Sequence, residues 1–140
     1  MARVLGVDLG ARRIGLACSD PTGTLATPLT VLERSGDVAR DHAAIVAAAL
    51  DAEAERIVVG LPLSLDGSDG PAARTTRAEV EALATAAGSQ LPISLHDERL
   101  TTVSAERELM AAGMRGRARR KIIDAAAAAV MLQSWLEGER

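Results

Sequence analysis

Aromatic residues, cysteine and lysine are scarce in this chain of 140 residues. It contains no Phe and no Tyr, and its single Trp is Trp135. Ala, Leu, Val and Ile must therefore fill the interior, which suits closely packed helices and sheet. The length fits one domain spanning residues 1–140, and a domain of this size can bury a core without disulfides or a structural metal.

Cys18 is the only cysteine, so no intramolecular disulfide can form. A free thiol inside an apolar run is typical of a small hydrophobic side chain in a reducing compartment. The first residues, MARVLGVDLG, lack the pattern of a secretory signal peptide, and no apolar stretch reaches the roughly 18 residues that span a bilayer. We therefore expect a cytoplasmic protein that does not bind a membrane.

The formal net charge is only −3, but the positive charge is unevenly distributed. Residues 115–121, with the sequence RGRARRK, carry five basic side chains and no acid: Arg115, Arg117, Arg119, Arg120 and Lys121. The rest of the chain is correspondingly acidic. One local basic patch is expected, and such a patch favours a polyanionic partner.

Short apolar runs predict five strands. The first three are joined by turns at Gly10 and at residues 20–23, which predicts an antiparallel meander over residues 3–9, 14–19 and 25–32. The first run is almost continuously apolar, as in a central strand that is buried on both faces. Two later runs, residues 56–62 and 92–96, follow helical segments.

Four helices are predicted from spacing and from their end signals. They run from the N-cap Asp37 to about Ala54, from Pro71 to near Gly88, from Thr101 or Thr102 to about Ala112, and from about Arg119 to Leu136. Strands that first form a meander and then alternate with helices predict an α/β fold. Its five-stranded mixed sheet has the antiparallel meander first, then parallel strands, and is covered by helices.

Asp8 lies inside a run that the pattern predicts to be buried, where an unpaired carboxylate costs several kcal/mol by general estimates. A bound cation, a neighbouring Arg such as Arg12 or Arg13, or a place at the exposed end of the strand would each compensate this charge. Asp97 and Glu98 together follow a later strand, at the carboxyl end where ligands of open α/β sheets gather. Side chains alternate along a strand, so only one of the two points into a given site.

Asp124 is the third misplaced acid, since it lies in the otherwise apolar helix KIIDAAAAAVMLQSWL. A place in the first helical turn would give it a dipole interaction of about 0.3 to 1 kcal/mol, which is the structural alternative. Three acids on a first strand, a later strand and a terminal helix instead indicate a site for a hard cation. Oxygen ligands favour Mg²⁺ or Mn²⁺ over zinc. His42 and His96 are isolated and have no zinc-type spacing.

Four segments in order, GVDLGARRIGLACSD, IVVGLPLSLDGS, HDERLTTVSAE and IIDAAAAAVMLQSWL, resemble the YqgF/RuvX family over almost the whole chain. That family comprises proteins described as pre-16S rRNA nucleases or Holliday junction resolvases, within the RNase H-like superfamily. The resemblance departs at two places. Arg12 replaces a frequent Lys, and Ser64-Leu65 replaces a frequent Asn-Met in a loop that faces the substrate.

The resemblance implies that Asp8, Glu98 and Asp124 are the catalytic residues and the ligands of Mg²⁺ or Mn²⁺. It implies metal-activated hydrolysis of phosphodiesters, with processing of the 5′ end of pre-16S rRNA favoured and junction resolution as the alternative. Ribosomal particles are then possible partners, and junction resolution would require a symmetric dimer. The predicted nucleic-acid contacts are Arg12, Arg13, Arg99, Arg117, Arg119, Arg120 and Lys121.

Two other functions compete with a nuclease. An actin-like or sugar-kinase-like ATPase also has an Asp-x-Gly hairpin, but those enzymes clasp a nucleotide between two RNase H-like halves, and 140 residues supply one half. A non-catalytic nucleic-acid-binding module would keep the basic patch without using the acids. A loss of nucleic-acid binding that does not involve a metal would favour that module.

Overall fold

The computed structural model describes residues 2–100 and 117–139, except for the side chains of residue 100 and residues 117–120. Five strands form one sheet in the order β3-β2-β1-β4-β5. They are β1 (Arg3–Leu9), β2 (Arg13–Ser19), β3 (Ala26–Glu33), β4 (Ala54–Leu61) and β5 (Ile93–Asp97). The pairs β1–β2 and β2–β3 are antiparallel, whereas β1–β4 and β4–β5 are parallel. The predicted meander followed by parallel strands is confirmed.

The helices are α1 (Val38–Asp51), α2 (Pro71–Ala87) and α3 (Arg117–Gly138), and a 3₁₀ turn, Glu98–Leu100, follows β5. Asp37 caps α1 as predicted, because its Oδ1 accepts the Arg40 N–H at 3.3 Å. The prediction that α1 continues to about Ala54 is wrong. The chain turns at Glu53, whose φ is 57°, because Ala54 already pairs with Arg3 of β1. The helix predicted from Thr101 or Thr102 lies outside the described residues.

The sheet is the middle of three layers, and the side chains of its central strands alternate between the two outer layers. On one face, Leu5, Val7 and Val59 pack with residues of α1 and α2, among them Ile45 and Leu83. The opposite face carries a second cluster under α3: Val4, Ala17, Val58, Ala128, Met131 and Leu132. Burial on both faces explains why β1 is apolar along almost its whole length.

Helix α3 lies close to the sheet because small residues line the contact. A Cβ atom added to Gly6 would lie 2.8 Å from the Cβ of Leu132, which is closer than real Cβ contacts come. Trp135 is half-buried against this second cluster and so contributes to the core. None of the helices in the described part of the chain is long and apolar enough to cross a membrane.

Candidate active site

Asp8, near the carboxyl end of β1, faces helix α3. Gly6 faces Leu132 of that helix, and position 8 shares its direction because side chains alternate along a strand. In the sheet, Asp8 is paired with Gly15 of β2, and the parallel register with β4 places it beside Gly60. The half-buried Asp8 thus has a residue without a side chain on either side.

The carboxylate of Glu98 lies against Gly60. A Cβ atom on Gly60 would stand 2.5 Å from Oε1 of Glu98 and 3.1 Å from its Cγ. Val58 packs under α3, and Gly60, two residues later, faces the same way. Glu98 therefore approaches the sheet from the side of α3, next to the position of Asp8. Glycine at position 60 is what leaves room for this carboxylate.

Asp124 reaches the same face from helix α3, above β2. Its main chain lies against Gly15, since an added Cβ there would come within 2.8 Å of the Asp124 carbonyl carbon. Its Oδ2 accepts a hydrogen bond from Nε of Arg13 at 2.6 Å, and both side chains are about one-fifth exposed, 19% and 18%. Asp124 lies seven residues beyond Arg117, where α3 begins. This is past the first turn, so a helix-dipole role does not account for it.

Asp97, which the alternation argument left as an equal candidate to Glu98, has a different role. It is in register with Leu61, one residue beyond Gly60, and so faces away from α3 at that step of the strand. Arg99 donates from Nη2 to its Oδ2 at 2.7 Å, and hydrogen bonding to this guanidinium lowers the pKa of Asp97. Arg99 also donates from Nη1 to the carbonyl of Leu65 at 3.3 Å, which ties the loop after β4 to the end of β5.

The described basic residues of the predicted nucleic-acid contact set lie at one edge of the sheet. Arg12 is exposed in the turn between β1 and β2, and Arg99 follows β5. Nζ of Lys121 is 3.4 Å from Oε1 of Glu33, whose strand position pairs with Arg13 at this same edge. Arg117, Arg119 and Arg120 form the start of α3, and their side chains lie outside the described residues.

The three acids share a face but do not form a ready metal centre. Within residues 2–100 and 117–139, no group of three His, Cys, Asp or Glu side chains is arranged to hold a metal ion. The Asp124 carboxylate forms an ion pair with the Arg13 guanidinium, so its charge is neutralised by a side chain of the protein. Both histidines contact side chains of neighbouring helices, His42 on Glu79 of α2 and His96 on Ser134 of α3. His96 Nε2 is 2.9 Å from Ser134 Oγ on α3, and burial lowers the pKa of His96.

Two glycines of the site were missed in the sequence. Gly15 and Gly60 admit Asp124 and Glu98 to the surface of the sheet, yet neither glycine was among the predicted site residues. A signal was present, because glycine inside a β-branched strand is typical of a close approach by another group. What the sequence lacks is the identity of the approaching group, which depends on the tertiary fold.

Comparison with known proteins identifies the family of this chain. The sequence profile described as RuvX, Holliday junction resolvase, matches residues 2–138. The chain belongs to the RuvX family. A relative from Anaeromyxobacter dehalogenans (strain 2CP-C), named "Putative pre-16S rRNA nuclease", is 48% identical over 135 residues, which cover 96% of each chain. A Mycobacterium tuberculosis (strain H37Rv) relative of the same name is 48% identical over 137 residues, 96% of this chain and 78% of the relative.

Solved structures confirm the RNase H-like fold predicted for this RuvX chain. Thermus thermophilus RuvC in complex with a Holliday junction substrate superposes with a TM-score of 0.61 at 20% identity, covering 99% of this chain and 96% of that one. A second Thermus thermophilus RuvC structure gives a TM-score of 0.55 at 17% identity, with 98% and 95% coverage. With the family and its named relatives, the predicted enzyme class is confirmed: the chain is a nuclease, a hydrolase of phosphodiester bonds.

Proposed function

We propose that this RuvX nuclease is a metal-dependent endonuclease that processes the 5′ end of pre-16S rRNA, with Asp8, Glu98 and Asp124 as its catalytic acids. The observation that carries the proposal is their shared face. Asp8 of β1, Glu98 of the turn after β5 and Asp124 of α3 lie on one face of the sheet, where Gly60 admits Glu98 and Gly15 admits the main chain of Asp124. The substrate is taken from the printed name of relatives at 48% identity.

A divalent cation fits the chemistry of this face. The three acids offer only oxygen donors, which suits Mg²⁺ or Mn²⁺. Gly15 and Gly60 let the main chain of Asp124 and the carboxylate of Glu98 come close to the sheet, and Asp8 lies between the two glycines. Asp8 and Glu98 would hold the ion at the sheet surface. Asp124 would join them when its carboxylate exchanges Arg13 for the cation.

The ion would supply charge neutralisation and a more acidic water for in-line attack on the phosphodiester. Residues of the chain position the carboxylates and neutralise charge. Gly60 keeps Oε1 of Glu98 close to the sheet, and the register of β1 holds Asp8 beside it. Arg13 neutralises Asp124 in the free protein. Once Arg13 is released from Asp124, the Arg13 guanidinium can bind a substrate phosphate, since arginine presents several donors to one phosphate.

The basic side chains would position the nucleic acid. Arg12, Arg99 and Lys121 occur at the end of the sheet where Asp8 and Glu98 lie. Arg117, Arg119 and Arg120 belong to the start of α3. Phosphate contacts of this kind position a nucleic acid without reading its sequence. They would work equally on RNA and DNA, and we place their action in the cytoplasm, on ribosomal precursor particles.

A four-way DNA junction is the second candidate substrate. The family description names a Holliday junction resolvase, and the RuvC structure of the same fold was solved with a junction. Resolution of a junction requires two opposed cuts, so this function would need a symmetric dimer. Processing of an rRNA end needs one cut and is compatible with a monomer.

Cleavage of both substrates by one preparation tests the proposal. We would incubate a pre-16S 5′ leader RNA and a four-way DNA junction with wild type and Asp8→Asn, each with Mg²⁺, Mn²⁺ or EDTA. We expect metal-dependent cutting of the RNA that EDTA and Asp8→Asn abolish. Gly138→Ala is the matched control, because nothing lies within 4 Å of the added Cβ.

Each contrary result has a defined meaning. Cutting of the junction alone, by a protein that sediments as a dimer, would replace the rRNA substrate with the junction. If neither substrate is cut, and wild type and Asp8→Asn bind both equally well, the chain is a binding module and the assignment of the acids is wrong.

A further inference from the structure

A charged network lies on the face of the sheet opposite to α3. Glu79 of α2 accepts two hydrogen bonds from Arg34, at 2.7 Å from Nη1 and 2.8 Å from Nη2. Nε2 of His42 on α1 is also 2.8 Å from Oε2 of Glu79. The His42 side chain is 2% exposed and that of Glu79 is 13% exposed. These three residues form what we call the Arg34 network.

The Arg34 network is bonded to the turn between β1 and β2. Nε of Arg34 donates to the carbonyl of Gly10 at 2.7 Å, and its main-chain N–H donates to the carbonyl of Arg12 at 3.0 Å. The turn is tight, since a Cβ on Gly10 would lie 2.5 Å from the carbonyl oxygen of Arg13. Both ends of the turn lead into the proposed site: Asp8 precedes it and Arg13 follows it.

Stability alone is a weak reason for such a network. Removing charges from water costs several kcal/mol per ion, so a buried ion pair is often no better for stability than well-packed apolar side chains. What charged groups add is fixed geometry. A guanidinium has a planar set of donors, and here the two Nη atoms are held by Glu79 while Nε is aimed at Gly10.

We propose that Arg34 is a positioning residue for the nuclease site. Held by Glu79, it fixes the turn at Gly10 and thereby the approach of Asp8 and Arg13 to Glu98 and Asp124. Through Glu79 and His42, Arg34 is bonded to α2 and α1. The helices on the opposite side of the sheet from α3 therefore fix the geometry of the catalytic face. The catalytic part of this inference rests on the proposed function.

Arg34→Lys is the informative variant. A lysine keeps the positive charge beside Glu79 but has one terminal ammonium, so it cannot also reproduce the Nε bond to Gly10. The matched control is Leu83→Val, which perturbs the same face of α2 one turn after Glu79. Leu83 is fully buried in the core, and this substitution lowers stability without touching the turn.

Two measurements are made on wild type and both variants. The first is kcat and KM for cleavage of the pre-16S leader RNA, or of the junction if that is the substrate, with Mn²⁺. A displaced catalytic group lowers rates by up to about 100-fold, so we expect kcat of Arg34→Lys to fall about ten- to a hundred-fold with little change in KM. The second is NMR of the turn, where the amides of Ala11 and Arg13 follow the two carbonyls that Arg34 binds.

For Arg34→Lys, the amide of Ala11 should shift and exchange faster than in wild type, while Leu83→Val leaves it unchanged. The proposal is overturned if that amide is unaffected, if kcat stays at the wild-type value, or if Leu83→Val at matched stability lowers kcat equally. If wild type cuts neither substrate, the proposed function fails. The NMR comparison still decides whether Arg34 holds the turn.

Discussion

Substitution of Gly60 by alanine should separate activity from stability in this protein. The added Cβ would stand 2.5 Å from Oε1 of Glu98. Ordinary contacts of a Cβ atom begin at 3.4 Å, so the carboxylate must move by the difference, about 0.9 Å. The displaced atoms belong to the end of a flexible side chain, which can rotate away without moving the main chain.

The loss of activity and the loss of stability in Gly60→Ala should therefore differ in size. A misplacement of about 1 Å at a catalytic group can lower the rate about 100-fold, and we expect a loss of that order for Gly60→Ala. The free energy of unfolding should fall by no more than about 1 kcal/mol, at or below the usual range for an overpacked core, because Glu98 can yield. Gly138→Ala adds the same methyl group in open space and should leave both quantities unchanged.

Single-turnover cleavage in Mn²⁺ and urea unfolding followed by Trp135 emission would measure the two quantities. Trp135 is the only aromatic residue of the chain, so the signal has one source. If Gly60→Ala cuts as fast as Gly138→Ala, the position of the Glu98 carboxylate does not control the rate of cleavage. If it unfolds at much lower urea, the loss of activity would be explained by stability alone.

Three further predictions concern stability. Gly15→Ala should destabilise the fold by about 1 to 3 kcal/mol, because the added Cβ meets the main chain of Asp124, which cannot rotate away; a urea midpoint equal to that of wild type would contradict this. Asp37→Ala should cost about 0.5 to 2 kcal/mol through the lost N-cap of α1, seen in the same titration, and no loss would show that the cap is dispensable. Hydrogen bonds from the Leu25 main chain, the Thr22 hydroxyl and the Thr24 main chain lower the pKa of Asp20 to about 2. Because the pKa of Asp20 is lower in the folded than in the unfolded chain, its ionised carboxylate stabilises the fold at pH values above the unfolded-state pKa, and this stabilisation is lost as the pH falls. Between about pH 4 and 2, wild type should therefore lose more stability than Asp20→Asn. Parallel pH profiles of the two proteins would count against this.

The centre of the sheet could be predicted from the sequence because β1 and β2 are buried along most of their length. The runs at residues 3–9 and 14–19 are apolar on both faces, and short turns leave them one way to pair. The end of α1 could not be predicted, since Ala-rich sequence continues to Ala54 and only the pairing of Ala54 with Arg3 stops the helix. That residues 1–140 form one domain stays a prediction.

The candidate site was visible only in part. Asp8 and Asp124 stand out in apolar runs. The pattern of residues leaves Asp97 and Glu98 equivalent, and they are distinguished by the pairing of Asp97 with Leu61 and by the contact of Glu98 with Gly60. The pairing of Asp124 with Arg13 joins residues 111 positions apart. The periodicity of a sequence does not indicate contacts between residues so far apart. The Arg34 network was not predicted for the same reason.

The Mn²⁺ dependence of cleavage shows whether Asp8, Glu98 and Asp124 act as one metal site. We would measure the single-turnover rate over a range of Mn²⁺ concentrations for wild type, Asp8→Asn, Glu98→Gln and Asp124→Asn, after confirming that each variant is folded. If the three acids act as one metal site, every variant should lose cleavage or require more Mn²⁺ for half its maximal rate. A variant that retains both the wild-type rate and the wild-type Mn²⁺ dependence would show that its acid is not part of the site.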